Sequence, residues 1–82
     1  MIPPRIKEVK AVEDYKIEIL YVNGEKKLYD MKKNLKHKFY EKLNNPEYFK
    51  LVKNAQTTVE WTNGEDVDPN DLYGNSVDIT RA

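Results

Sequence analysis

The densest run of side chains able to hold a metal or move a proton is Asp66-Val67-Asp68-Pro69-Asn70-Asp71, in which oxygen ligands alternate as they do at the opening of a calcium-binding loop. The pattern fails at two diagnostic positions. The sixth place, which requires glycine for a sharp turn, holds Asp71, and the twelfth, which should bring a bidentate carboxylate, holds Val77. Asp68 followed by Pro69 reads instead as a capping side chain and the first residue of a helical turn. Glu60, Glu65, Asp66 and Asp68 could bring carboxylates together across a hairpin, as acid–base hydrolases require; an exposed acidic hairpin gathers the same residues without chemistry. His37 is the sole histidine and lies between Lys36 and Lys38, with no neighbouring carboxylate in the chain to orient it as a general base. Ser76, the only serine, follows Gly74-Asn75 near the chain end, where nothing pairs it with a histidine. Cysteine is absent, which removes disulfides, thiolate nucleophiles and zinc–sulfur sites. These residues predict no catalytic centre, no metal and no cofactor, and a protein that is not an enzyme.

Binding is the alternative. The segment 32–42 interleaves lysines with aromatic rings, so Lys33, Lys36 and Lys38 could neutralise phosphates while Tyr40 stacks on a base. Arginine is scarce and the formal net charge is zero, whereas dedicated nucleic-acid binders are strongly basic. The charge is nevertheless segregated: residues 26–53 carry nine lysines against Asp30, Glu41 and Glu47, and residues 54–82 carry six acids against Arg81. Such asymmetry marks either a surface for a charged partner or two halves that neutralise each other in the fold. Trp61 and Tyr73 are aromatics of the kind found both in cores and at interface hot spots. Tyr15, Tyr21, Tyr29, Tyr40 and Tyr48 add amphipathic rings suited to a protein-binding face.

These side chains must be held by a single small domain, since 82 residues bury only about 60% of the surface the unfolded chain exposes. The first strand spans Arg5–Val12, with a bulge between Ile6 and Val9 where the two-residue alternation breaks. Tyr15–Val22 alternates cleanly, Asn23-Gly24 supplies a tight turn, and Glu25–Asp30 returns. A two-residue turn puts Ile19 opposite Leu28 and Tyr21 opposite Lys26 on the core face. Leu20 then faces Lys27 and Glu18 faces Tyr29 on the other, leaving Leu20, Val22 and Tyr29 exposed for chain termini or another subunit to cover. Met31, Leu35, Phe39 and Leu43 recur every four residues and predict an amphipathic helix capped by Asp30. Asn45-Pro46 starts a second short helix anchored by Phe49 and Val52. Thr57–Trp61, Asn63-Gly64 and Glu65–Asp68 predict a second hairpin, and Asp68-Pro69 one helical turn that stops at Gly74.

Strands and helices are therefore segregated, which gives an α+β fold. The expectation is an antiparallel sheet of about four to five strands with hairpins, one face covered by one or two short helices. The compact core runs from about residue 4 to 76, with 77–82 as an edge segment or tail. Beyond the doubled turn signals no internal repeat is evident. No stretch approaches the roughly 20 apolar residues of a membrane span, and the start has no signal-peptide run. The sequence thus predicts a soluble, cytoplasmic protein without a membrane role.

The pattern Trp61…Asn63-Gly64…Asp66…Asp68-Pro69…Leu72-Tyr73, with Arg5-Ile6-Lys7-Glu8-Val9 and Asn45-Pro46-Glu47-Tyr48-Phe49, resembles the small bacterial domain family of unknown function numbered 2442. The resemblance runs from about Pro4 to Ser76, although members more usually have proline where this chain has Thr62. It implies a compact α+β domain with no established catalytic residues. Some relatives continue into a helix-turn-helix domain, and some are encoded beside another small protein in a toxin–antitoxin-like arrangement, which implies binding rather than catalysis. The expected function is a protein-interaction or regulatory module with a protein partner or a second copy of itself. Its candidate surface is Leu20, Val22, Tyr29, Trp61 and Tyr73, and the alternative is a nucleic-acid-associated regulator using segment 32–42.

Overall fold

The computed structural model describes residues 3–80. Strands β1 (Ile6–Val12), β2 (Lys16–Tyr21) and β3 (Lys26–Asp30) form an antiparallel meander. A short β6 (Val77–Asp78) joins its far edge, giving the order β1-β2-β3-β6. Between β3 and β6 lie two 3₁₀ segments (Lys32–Asn34 and Lys38–Asn44), α1 (Pro46–Phe49), the two-stranded β4 (Lys53–Asn54) and β5 (Val59–Glu60), and α2 (Pro69–Gly74). The fold is α+β, as the segregation of periods predicts. The bulge in β1 falls between Ile6 and Glu8, within the predicted interval.

The register of β2 and β3 differs from expectation by one residue. The connection is a three-residue loop, Val22-Asn23-Gly24: the Tyr21 amide donates to the Glu25 carbonyl at 2.8 Å and the Gly24 amide to the Tyr21 carbonyl at 3.0 Å. Gly24 takes φ of +94°, a left-handed conformation that costs a side-chain-bearing residue about 1–2 kcal/mol. Ile17 consequently pairs with Tyr29, Glu18 with Leu28, and Leu20 with Lys26. A one-residue slip turns every side chain of a strand to the other face, so Tyr29 points into the core and Leu28 points out. The second hairpin repeats the device over Trp61–Glu65: Trp61 N–H bonds the Glu65 carbonyl at 2.8 Å, Gly64 N–H bonds the Trp61 carbonyl at 2.9 Å, and Gly64 has φ of +96°. Tyr21-Val22-Asn23-Gly24-Glu25 and Trp61-Thr62-Asn63-Gly64-Glu65 are thus one local motif used twice.

The predicted helix over Met31–Leu43 is not continuous. His37 is extended (φ −78°, ψ 137°), and Tyr40 departs from helical angles inside the second 3₁₀ segment. Lysines at 32 and 36 and at 38 and 42 would sit one helical turn apart and repel, with Glu41 the only acid within the segment to offset them. Local side-chain-to-backbone bonds take over instead. Asp30 accepts the Lys32 amide at 2.8 Å, and the Asn44 amide side chain ties the Leu35 and Glu41 carbonyls together. Met31 and Leu43 are fully buried, whereas Phe39, predicted to face inward, is 58% exposed. The two cap-then-proline signals form as read: Asn45 accepts the Glu47 amide ahead of Pro46, and Asp68 accepts the Asp71 amide ahead of Pro69.

The core lies against the inner face of the sheet, where Ile17, Ile19, Tyr21 and Tyr29 meet Met31, Leu43, Phe49, Val59, Val67 and Leu72. Trp61 sits at the centre, fully buried, with its indole N–H donating to the Phe49 carbonyl at 2.9 Å and its ring stacked on Phe49. Tyrosines fasten the segments between β3 and β6, a lid over the inner face, to the sheet and to one another. The hydroxyls of Tyr15, Tyr29, Tyr40, Tyr48 and Tyr73 donate respectively to the Asn44 carbonyl, Asp71, the Asp66 carbonyl, Glu65 and Glu25, residues 17 to 48 positions away in sequence. A core this small gains from such long-range pins, since without cysteine it has no disulfides. The rings expected on a binding face are in this way engaged inside the fold.

An added Cβ at Gly64 would meet no atom within 4 Å, so the demand there is on the backbone alone. We expect Gly64→Ala to lower unfolding free energy by about 1–2 kcal/mol, read from urea denaturation. An unchanged midpoint would contradict the left-handed loop.

Candidate interaction surface

The five residues proposed from sequence as an interaction surface separate into two environments. Leu20 lies half-exposed on the outer sheet face, and Val22 is 59% exposed at the hairpin tip. Tyr29 and Trp61 are fully buried; both expectations are corrected, because the one-residue register shift turns Tyr29 inward and the Phe49 carbonyl draws Trp61 into the core. Tyr73 is half-buried on the inner side: its ring meets Tyr21 edge-on at 5.1 Å and its hydroxyl bonds Glu25 at 2.5 Å. The Lys27 ammonium sits 4.2 Å from the centre of that ring.

On the sheet, the accessible apolar surface is its outer face, while Phe39 and Leu51 are exposed elsewhere. Alternation along the three long strands directs Val12, Leu20 and Leu28 outward, and the pairing of Leu28 with Val77 adds Val77, which is 64% exposed. None of the four joins the core. The second 3₁₀ segment, α1 and α2 pack on the other side, where their buried residues Leu43, Phe49 and Leu72 enter the core. Charges frame the apolar centre: Lys10 pairs with Glu18 at 3.6 Å, and Glu8 and Lys26 line a shallow depression beside Leu20. Leu28 and Val77 escaped the sequence reading. The signal that would have found Leu28 is the loop length, because a three-residue connection alone places it outward.

A second concavity of about 370 Å³ opens between the β1–β2 turn and α1, lined by Val12, Tyr15, Pro46 and Phe49 with Glu13, Asp14 and Lys50. Asp14 and Tyr15 both adopt positive φ, 65° and 57°. The strained turn is held from three sides. The Tyr15 carbonyl accepts the Met31 amide, its ring packs edge-on against Phe49, and Asp14 meets the Lys32 ammonium at 2.5 Å. A hydrogen bond and the charge of that ammonium keep the Asp14 carboxyl below its ordinary range. No histidine or serine lines the groove, and its polar groups do not converge as those of a small-molecule site do.

The acidic run is occupied with structure. Asp68 caps α2, Asp71 accepts the Tyr29 hydroxyl at 2.9 Å, and buried Glu65 accepts the Tyr48 hydroxyl at 2.6 Å. Among the described residues no group of three or more His, Asp or Glu side chains is placed to hold a metal. In the basic segment Lys33 lies 5.5 Å from the Tyr29 ring centre, while Lys36, His37 and Lys38 are exposed along the break between the 3₁₀ segments. Tyr40 spends its hydroxyl on the Asp66 carbonyl, and the ring left open is that of Phe39. None of the helices formed by the described residues is long and apolar enough to cross a membrane.

Residues 6–78 match the family model described as "Protein of unknown function (DUF2442)". The chain belongs to this family. No curated protein and no solved structure matches it. The match begins at the first residue of β1 and ends at the last of β6, so the DUF2442 unit is the whole sheet with its lid.

The phenols of this DUF2442 chain also give it a pH signature. Burial above all pushes Tyr21 and Tyr29 up to about 12. The Tyr21 hydroxyl is buried with no hydrogen-bond partner among the described residues, whereas Tyr29 donates to Asp71 and accepts from Asn34. A phenol that keeps its proton longer in the folded chain stabilises the fold fully below about pH 10 and loses that contribution as pH rises towards 12. We expect the urea midpoint to fall between pH 9 and pH 11, and the fall to be smaller in Tyr21→Phe. At neutral pH Tyr21→Phe should be neutral or stabilising and Tyr29→Phe destabilising by about 1 kcal/mol. An alkaline fall of the same size in Tyr21→Phe would contradict the burial of that hydroxyl.

Proposed function

We propose that this DUF2442 chain is a non-catalytic module that binds another protein through the outer face of its sheet. In this reading it acts as the regulatory or neutralising member of a toxin–antitoxin-like pair. The observation that carries the binding role is the open face itself. Leu20, Leu28 and Val77 form an apolar strip framed by Lys10, Glu18 and Lys26, the layout of an interface with an apolar centre and polar rim. The paired system rests on the family resemblance. Burial of the strip would also add stability to the fold, since a single core in a chain this small rarely supplies more than about 3–5 kcal/mol.

Phe39 favours a second reading. It is 58% exposed between Lys36, Lys38 and Lys42, which supplies the stacking ring that single-stranded nucleic-acid binding needs beside its cations.

One experiment separates the two. The tagged chain is recovered from its native host with nuclease treatment at two salt concentrations, and what accompanies it is identified by mass spectrometry. The interaction reading expects a stoichiometric protein that survives both treatments and is lost at least tenfold with Leu20→Glu plus Leu28→Glu, changes at half-exposed positions outside the core, with near-ultraviolet dichroism measured to verify that the fold is kept. Recovery of nucleic acid alone, lost as salt rises and on joint replacement of Lys33, Lys36 and Lys38 by Gln, would move the function to the basic segment.

A further inference from the structure

We propose that β1 is also a self-association edge, pairing antiparallel with β1 of a second copy about a two-fold axis that runs between the two Val9 residues. β1 is the terminal strand of the four-stranded sheet. Among the described residues its outer edge is occupied only at its start, where the Ile6 amide donates to the Gln56 carbonyl at 2.6 Å and the Asn54 side chain donates to the Ile6 carbonyl. From Lys7 to Val12 that edge pairs with no strand among the described residues. An open edge carries a row of unpaired amides and carbonyls that can template another strand.

The charge order along β1 decides which strand it accepts. Lysines at 7 and 10 guard the edge against indiscriminate pairing, and the edge favours a partner that sets a carboxylate, not a cation, opposite Lys10. The strand itself carries one, Glu8. In a symmetric antiparallel edge pair, opposed residues point to the same face, so one residue opposes its own copy across the two-fold axis. Centred on Glu8, the pair opposes two carboxylates, and centred on Lys10, two ammonium groups. Centred on Val9, it places Glu8 opposite Lys10 of the second copy twice, and Val9 against Val9. Lys10 already meets Glu18 at 3.6 Å across β2, so each half of the joined sheet would carry an alternating row Glu18–Lys10–Glu8 on its outer face. The Asn54–Gln56 stop at Ile6 limits the ladder to residues 7–11, which makes a short interface and a concentration-dependent dimer. This inference is independent of a foreign protein on the outer face.

Sedimentation velocity on the full chain across a concentration series is the test. Wild type is expected to shift from monomer to dimer, and Glu8→Lys and Lys10→Glu each to remain monomeric, since each opposes like charges twice. Mixing the two variants restores complementary pairs at both positions, so a heterodimer is expected at concentrations where neither variant associates alone. Circular dichroism of each variant, both changes being at exposed positions, verifies the fold. A wild type that stays monomeric throughout would overturn the proposal, as would a dimer indifferent to the reversals or a mixture that fails to associate.

Discussion

Everything distinctive about this domain follows from a glycine in the left-handed region at the third position of a three-residue loop. At Gly24 that conformation closes the Tyr21–Glu25 hydrogen bond and fixes which residues of β2 and β3 meet. Because strand side chains alternate with a period of two, the choice between a two- and a three-residue connection is a choice between two sheets. One buries Leu28 and exposes Tyr29. The other, which forms, buries Tyr29 beside Ile17 and leaves Leu28 outside with Leu20 and Val77. The open face on which the functional proposal stands is thus a consequence of backbone geometry.

The inner side depends on the same register. With Tyr29 turned inward its hydroxyl reaches Asp71 at the start of α2, and Asn34 reaches back to it. The parallel loop at Gly64 puts Glu65 where Tyr48 can bond it and Trp61 where its indole meets the Phe49 carbonyl. A lid built of 3₁₀ turns and two short helices has little internal cooperativity, since such segments are marginal alone. Tyrosine bonds to distant acceptors supply the missing order. The acidic residues that resemble a metal loop in sequence are the acceptors and caps of that network.

Local signals were legible in the chain and distant ones were not. Asn45-Pro46 and Asp68-Pro69 cap helices as read, the bulge near Ile6 appears, and both Asn-Gly pairs mark hairpins, because each of these is decided within a few residues. The loop length escaped, since Asn-Gly serves two- and three-residue turns alike. The four-residue spacing from Met31 to Leu43 predicted a helix that lysine repulsion and the bonds of Asp30 and Asn44 break up. Of the candidate surface, Leu20 and Val22 are accessible. Trp61 and Tyr29 were misplaced because an aromatic residue type serves a core and an interface equally well, and only tertiary partners decide between them.

The central claim is the register of β2 against β3, and the direct test is the pattern of cross-strand nuclear Overhauser contacts in the isotopically labelled chain. The three-residue loop predicts backbone contacts that pair Ile17 with Tyr29 and Glu18 with Leu28, with the Tyr29 ring contacting Met31 and Leu72 in the core. Contacts pairing Glu18 with Tyr29 and Ile19 with Leu28 would contradict it, closing the outer strip and returning Tyr29 to solvent.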